Sequence, residues 1–197
     1  GIMPAGRFVE EDDAVTDAII DINVKGLLHG TKLALPGMLE RGSGHIVNVA
    51  SYAGKFPAAG LATYCASKHA VVGFSESLRD ELAATGVTVT AVLPSAVRTD
   101  LVAGVQLGGL LPTVDPERIA DAVVASCRHR SAIVAVPAWM RSYEAAAALV
   151  PDRLLGAIRG RLTRDRALRT LDTGARADYD ARVRRDASAP ANTQPTR

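Results

Sequence analysis

Residues 44–51, Gly44-His-Ile-Val-Asn-Val-Ala-Ser51, form a short β-branched run opened by the turn Arg41-Gly-Ser-Gly44 and followed by Gly54. A run this short, bounded by glycines, reads as a buried strand over His45–Ser51. Residues Ala62–Ala84 then read as a long helix, with Gly86 placed to cap its C-terminus. Val87-Thr-Val-Thr-Ala-Val-Leu93 is a second strand, stopped by Pro94. Strand, helix and strand in that order imply parallel strands joined by a crossover helix.

The same alternation extends in both directions. Upstream, Val15, Ile19, Ile22, Leu27 and Leu28 recur at helical spacing, and Glu10–Asp13 supply the acidic residues a helix N-terminus favours. That helix is expected from Asp13 to about Leu39, with a kink at Pro36-Gly37. Downstream, residues 98–115 carry Gly104, Gly108, Gly109 and Pro112 and read as a flexible excursion. A third helix follows over about Pro116–Arg128, with Asp115 as its cap, and Ala132–Val136 is a third strand ended by Pro137. The expected class is α/β, a doubly wound parallel sheet.

From Trp139 the character changes. Residues 141–197 hold twelve arginines against seven acidic residues, Ala145–Leu155 is apolar enough for a helix, and Ala187–Arg197 reads as a disordered tail. The expected division is 1–137 for the catalytic unit, 138–186 for a basic helical extension and 187–197 for the tail.

Composition narrows the function classes. The chain has 197 residues, 48% hydrophobic and 22% charged, with a formal net charge of +2. That charge is too small to argue for nucleic acid, and no apolar run approaches the roughly 20 residues of a membrane span. Cys65 and Cys127 form no CxxC pair and His29, His45, His69 and His129 lack ligand spacing, so a reducing cytoplasm and no metal are expected.

The chemistry sits in Asn48-Val-Ala-Ser51 and Tyr64-Cys-Ala-Ser-Lys68. Tyr64 and Lys68 are four apart on a helix and share a face. An ammonium beside a phenol favours phenolate, which makes tyrosine a usable proton donor or acceptor near neutrality. Ser51 stands at the C-terminal end of a parallel strand, where open α/β sheets place their sites, and its hydroxyl there can hold a carbonyl oxygen. Tyr-x-x-x-Lys alone is a common spacing; its conjunction with Ser51 and with Asn23 on the preceding helix is not.

With those residues the chain resembles the short-chain dehydrogenase/reductase family from Gly1 to about Pro137. The stretches that carry the resemblance are Gly1-Ile-Met, Asn23-Val-Lys-Gly26, Gly44–Gly54, Tyr64–Lys68 and Val92-Leu-Pro94-Ser-Ala-Val-Arg-Thr99. The resemblance implies a Rossmann-like fold and NAD or NADP as cofactor. It implies Tyr64 as general acid or base, Lys68 on the nicotinamide ribose and lowering the tyrosine pKa, and Ser51 orienting the substrate oxygen. Asn23 would hold a relay water behind Lys68, and Gly1 would lie near the adenosine side. Pro94, Ser95, Val97 and Thr99 would lie against the nicotinamide, with Ser95 standing where the family usually has glycine. The helices at 13–39 and 62–84 match the family's subunit interface, so a homodimer or homotetramer is expected.

The family's glycine-rich pyrophosphate turn occurs nowhere in these residues, and the first methionine is Met3. The chain is therefore expected to be a processed form or a piece lacking the N-terminal half of the sheet, which would leave the strand ending at Ser51 as an apolar edge prone to self-association. Two functions stay open: an oxidoreductase acting on an apolar secondary alcohol or ketone, and a truncated, inactive partner that still dimerises. Gly104–Pro112 falls where the family keeps a mobile substrate lid, and its leucines suit a lipophilic substrate. The arginine-rich extension reads first as a solvated helical face over the substrate end. Its second reading is a peripheral membrane contact through Leu149, Val150, Leu154 and Leu155.

Overall fold

A computed structural model describes residues 1–105, 112–151, 153, 154, 156, 168 and 171–188. In chain order the strands are β1 (Gly44–Val49), β2 (Val87–Pro94), β3 (Ala96–Val97), β4 (Thr113–Val114) and β5 (Ile133–Val136). The helices are α1 (Asp13–Ile20), α2 (Gly26–Glu40), α3 (Ala62–Glu81), α4 (Pro116–His129), α5 (Met140–Ala148) and α6 (Thr173–Ser188).

Strands β1, β2 and β5 form a wholly parallel sheet in that order, with Val49 opposite Val92 and Pro94 opposite Val136. Helices cover both faces. On one, Leu35 and Met38 of α2 and Leu78 of α3, with Leu82 just past its end, pack on Ile46, Val87 and Val89. On the other, Ile119 and Val123 of α4 pack on Val92 and Val136. Each such aliphatic side chain contributes on the order of 1.5–3 kcal/mol when fully buried, so the central strand β2 anchors the fold. The doubly wound α/β arrangement read from the sequence is the arrangement observed.

The expected first helix is observed, but its irregularity lies elsewhere than Pro36. Asp12 starts it, its carboxylate accepting from the Ala14 N–H, and Pro36 sits inside α2 without ending it. The departure is a π-helical turn at Asp21–Lys25 between α1 and α2. Val15, Ile19, Asn23 and Thr31 are all buried, on a track of four-residue steps. Such a track drifts off one face of a helix with about 3.6 residues per turn, and one wider turn takes up part of the drift. Asn23 is thereby turned inward while Ile22, which the spacing placed on the apolar face, is 45% exposed.

The other differences are local. Helix α5 starts at Met140, earlier than expected, because Met140 is buried against Ala91, Leu93 and Ala135. It ends before Pro151, since the residue ahead of a proline resists helical geometry. Asp115 does not cap α4, because its carboxylate pairs with Arg98 at 2.8 Å. Helix α6 continues through Ala187 and Ser188, which the sequence placed in the tail, and the Ser188 hydroxyl donates to the Arg184 carbonyl. The excursion after β2 leaves and returns through the parallel pair β3–β4, which the Arg98 N–H extends by donating to the Val114 carbonyl. Residues 106–111 of the expected lid lie outside the described residues.

Candidate active site

The C-terminal ends of the three parallel strands form one edge. There β1 runs on through Ala50, whose N–H donates to the Val92 carbonyl, and Ser51 follows in extended conformation. Ser51 Oγ accepts from the Ala53 N–H and starts a single 3₁₀ turn, Tyr52–Gly54. That turn lies on the backbone of α3: a Cβ on Gly54 would fall 2.6 Å from the Lys68 carbonyl oxygen. Only glycine allows this approach, which brings Ser51 beside the first two turns of α3, where Tyr64 and Lys68 stand.

Tyr64 and Lys68 are both buried. Burial pushes the Tyr64 phenol up to about 12, partly opposed by hydrogen bonding with the Ser51 side chain. Burial likewise brings Lys68 down to about 8. The Lys68 ammonium donates to the Val49 carbonyl at 3.2 Å and lies 5.7 Å from the centre of the Tyr64 ring. Burial is the largest influence on the Tyr64 phenol, so its net shift is upward. The Tyr64 phenol is therefore protonated at neutral pH.

Asn23 faces the same cluster from the π turn. Its Oδ1 accepts from the Ile2 N–H at 2.8 Å, and its Nδ2 donates to the Ile2 carbonyl at 2.9 Å and to Ser67 Oγ at 3.1 Å. Both amide hydrogens are used, leaving an acceptor lone pair on Oδ1. A Cβ on Gly1 would lie 2.7 Å from Asn23 Oδ1 and 3.7 Å from Lys68 Nζ, so glycine keeps open the space between those two groups. The structure thus brings Asn23, Ser51, Tyr64 and Lys68 to one region, and it sets Gly1 beside Asn23 and Lys68.

The remaining predicted residues lie along the same edge but less closely. Pro94 ends β2, and the Ser95 N–H donates to the Val136 carbonyl at 2.8 Å. The Ser95 hydroxyl is buried with no hydrogen-bond partner among the described residues. Val97 pairs with Val114 in the stem of the excursion. Thr99 is exposed, its hydroxyl turned back to the Val97 carbonyl. Tyr52 belongs to the core, stacked on Phe56 and packed with Leu93 and Met140, and Cys65 is a buried neighbour of Met3 and Leu61.

A nicotinamide nucleotide fits this edge at its nicotinamide-ribose end. Lys68, which spends one of its three ammonium hydrogens on Val49, and the Ser95 hydroxyl, unpartnered among the described residues, are polar groups there, and Gly1 leaves space open beside Lys68. The residues present include no glycine-rich turn for a pyrophosphate.

Two residues that the sequence gave no reason to single out also reach this region. Arg176 of α6 is fully buried and donates to the carbonyls of Leu101, Ala103 and Met3. Tyr179 accepts from the Met3 N–H at 2.7 Å. The reading of the arginine-rich extension as a solvated face is therefore wrong for Arg176, which is covered completely. Leu149 and Leu154, by contrast, are exposed at 87% and 55%. Among the described residues no helix is long and apolar enough to cross a membrane.

A parallel sheet covered by helices on both faces, with buried Tyr64 and Lys68 and half-buried Ser51 at its C-terminal edge, places the chain in the doubly wound α/β class. The chain belongs to the short chain dehydrogenase family, whose model matches residues 1–108, more than half of its length. It is 38% identical over 131 residues to an uncharacterized oxidoreductase of Staphylococcus saprophyticus, covering 66% of this chain and 56% of that one. It is 30% identical over 166 residues to estradiol 17-beta-dehydrogenase 11 of Pongo abelii, covering 83% and 55%. A crystal structure of a short chain dehydrogenase from Burkholderia cenocepacia J2315 in complex with NADP superposes with a TM-score of 0.69 at 27% identity, over 82% of this chain and 67% of that one. The chain spans about half the length of the curated relatives it matches.

Proposed function

We propose that this chain forms the catalytic side of an NAD- or NADP-dependent oxidoreductase that interconverts a secondary alcohol and a ketone. The observation that carries the reading is the placement of buried Tyr64 and Lys68 on one face of α3, with Ser51 brought against that face by the close approach of Gly54. In reduction Tyr64 Oη gives its proton to the substrate oxygen while Ser51 Oγ holds that oxygen in place; in oxidation the same phenol oxygen takes the proton back. When bound, the nicotinamide would supply or accept the hydride at the carbonyl carbon, so the hydride accounts for both electrons and the hydrogen on carbon, and Tyr64 for the proton on oxygen.

Lys68 steadies the phenolate that forms as Tyr64 gives up its proton, and holds the ribose. Asn23 fixes Ile2, keeps Gly1 beside Lys68, and offers its remaining Oδ1 lone pair to a water that returns a proton from solvent. Pro94, Ser95, Val97 and Thr99 border the nicotinamide, with the Ser95 hydroxyl as a hydrogen-bonding group for it. Met3, Leu61, Leu101 and Val105 around Tyr64 support an apolar substrate. The relative named as an estradiol dehydrogenase and the neighbour holding NADP support the same reading. Leu33 of α2, 85% exposed, is a side chain that a homodimer through this helix would cover.

Titration of the natural protein containing this chain with NADH and NADPH, followed by nucleotide fluorescence, is expected to saturate for one of them in the micromolar range. Linear, unsaturable signals with both would contradict the proposal.

A further inference from the structure

Arg176 is the largest fully buried side chain among the described residues, and it lies in the extension rather than in the sheet. Its Nη1 donates to the Leu101 carbonyl at 3.2 Å and to the Ala103 carbonyl at 3.0 Å, and its Nη2 donates to the Met3 carbonyl. Its Nε donates to Asp180 Oδ1 at 3.2 Å, and the guanidinium lies 4.7 Å from the centre of the Tyr179 ring. A buried guanidinium with one carboxylate and three carbonyl partners is well satisfied, and removing it would take the donor from one buried and three part-buried acceptors together.

What Arg176 joins is specific. Tyr179 accepts from the Met3 N–H while Arg176 takes the Met3 carbonyl, so α6 grips both polar groups of one residue. The preceding residue, Ile2, is gripped in the same two-handed way by Asn23. On its other side Arg176 holds the turn after Thr99, which the Asp172 N–H reinforces by donating to the Gly104 carbonyl at 2.9 Å. Leu101, Val102 and Val105 of that turn, together with Met3 and Leu171, pack into the apolar cluster that contains Tyr64. One guanidinium therefore ties α6 to both segments that wall Tyr64.

We propose that Arg176 is a positioning residue for substrate: with Tyr179 it fixes the apolar wall of residues 101–105 and Met3 against the Tyr64 side chain, so that the carbonyl-bearing substrate meets Tyr64 and Ser51 in register. The proposal rests on the oxidoreductase reading. It assigns the extension a role in substrate binding and no role in holding the nucleotide.

The test is made in the natural enzyme with three variants. Arg176→Gln is expected to raise KM for an apolar ketone about tenfold or more, the scale on which a misplaced binding wall costs affinity, with the nucleotide Kd within about twofold of the original. Arg176→Lys, which keeps the charge but not the forked reach to three carbonyls, is expected to fall between the two. Hydrogen exchange at Met3 and across residues 101–105 is expected to accelerate in Arg176→Gln, a readout independent of turnover. Should Arg176→Gln fail to fold, Tyr179→Phe decides: it removes only the acceptor for Met3 and is expected to raise KM a few-fold with unchanged nucleotide Kd. Unchanged KM, or nucleotide Kd rising in step with KM, overturns the proposal. The unmodified enzyme and Tyr64→Phe, run alongside, separate that outcome from a failure of the oxidoreductase reading, which would leave no turnover to compare.

Discussion

Replacing Tyr64 by Phe is expected to lower kcat for both reduction and oxidation by about 10²–10⁴-fold, the range over which a positioned proton donor accelerates a reaction. The substitution removes a single oxygen. The ring stays in its apolar cluster with Met3, Leu61 and Cys65, so packing is kept. The hydroxyl's hydrogen bonding is with Ser51, not with a group whose loss would unfold α3. Nucleotide Kd is therefore expected to stay within about twofold, because an interaction made only in the transition state lowers kcat without weakening ground-state binding. Stopped-flow turnover and fluorescence titration on the same preparation check the two halves. Retained turnover would remove Tyr64 from the role proposed for it.

The second large effect is an asymmetry in pH. Lys68 is brought down to about 8 by burial, while Tyr64 keeps its proton to about 12. Reduction needs a protonated Tyr64 and a charged Lys68 to steady the phenolate. Tyr64 is protonated throughout the working range, so Lys68 sets the upper limb. The kcat/KM for ketone reduction is expected to be level through neutrality and to fall above about pH 8, tenfold per pH unit once Lys68 is neutral. Oxidation needs the phenolate, so its rate is expected to climb with pH across neutrality. Lys68→Arg keeps its charge at any working pH and is expected to move the upper limb of reduction beyond pH 10, whatever its absolute rate. A limb at pH 8 that persists in Lys68→Arg would show that another group sets it.

Much of this site was legible because its residues are spaced by the backbone itself. Tyr64 and Lys68 share a face of an α-helix by their spacing alone, and Ser51 follows two residues after a strand that the run His45–Val49 marks clearly. Gly54, quoted as part of the motif, proved to be the residue that lets the Ser51 turn touch α3. The inward turn of Asn23 was legible only as a motif match, because the π turn that produces it depends on packing. No local residue preference announces a wider turn.

Arg176 was the hardest to foresee. Among twelve arginines in a polar stretch nothing distinguishes it by composition or spacing. Its burial depends on three carbonyls supplied by Met3, Leu101 and Ala103, which lie more than seventy residues away in sequence. Charge reads as solvated until the tertiary structure brings acceptors to it. Spacing likewise gives Lys68 as a neighbour of Tyr64 but not how far burial raises the phenol.

The account stands most directly on where the hydrogens go. Reduction of an apolar ketone by the natural protein, with deuterium at C4 of the reduced nicotinamide in ordinary water, tests it in one experiment. The predicted product carries deuterium on the carbinol carbon and a solvent-derived proton on oxygen, and Tyr64→Phe forms it at a rate lower by about 10²–10⁴-fold. A carbinol carbon without deuterium, or label transfer at the same rate in Tyr64→Phe, would contradict it.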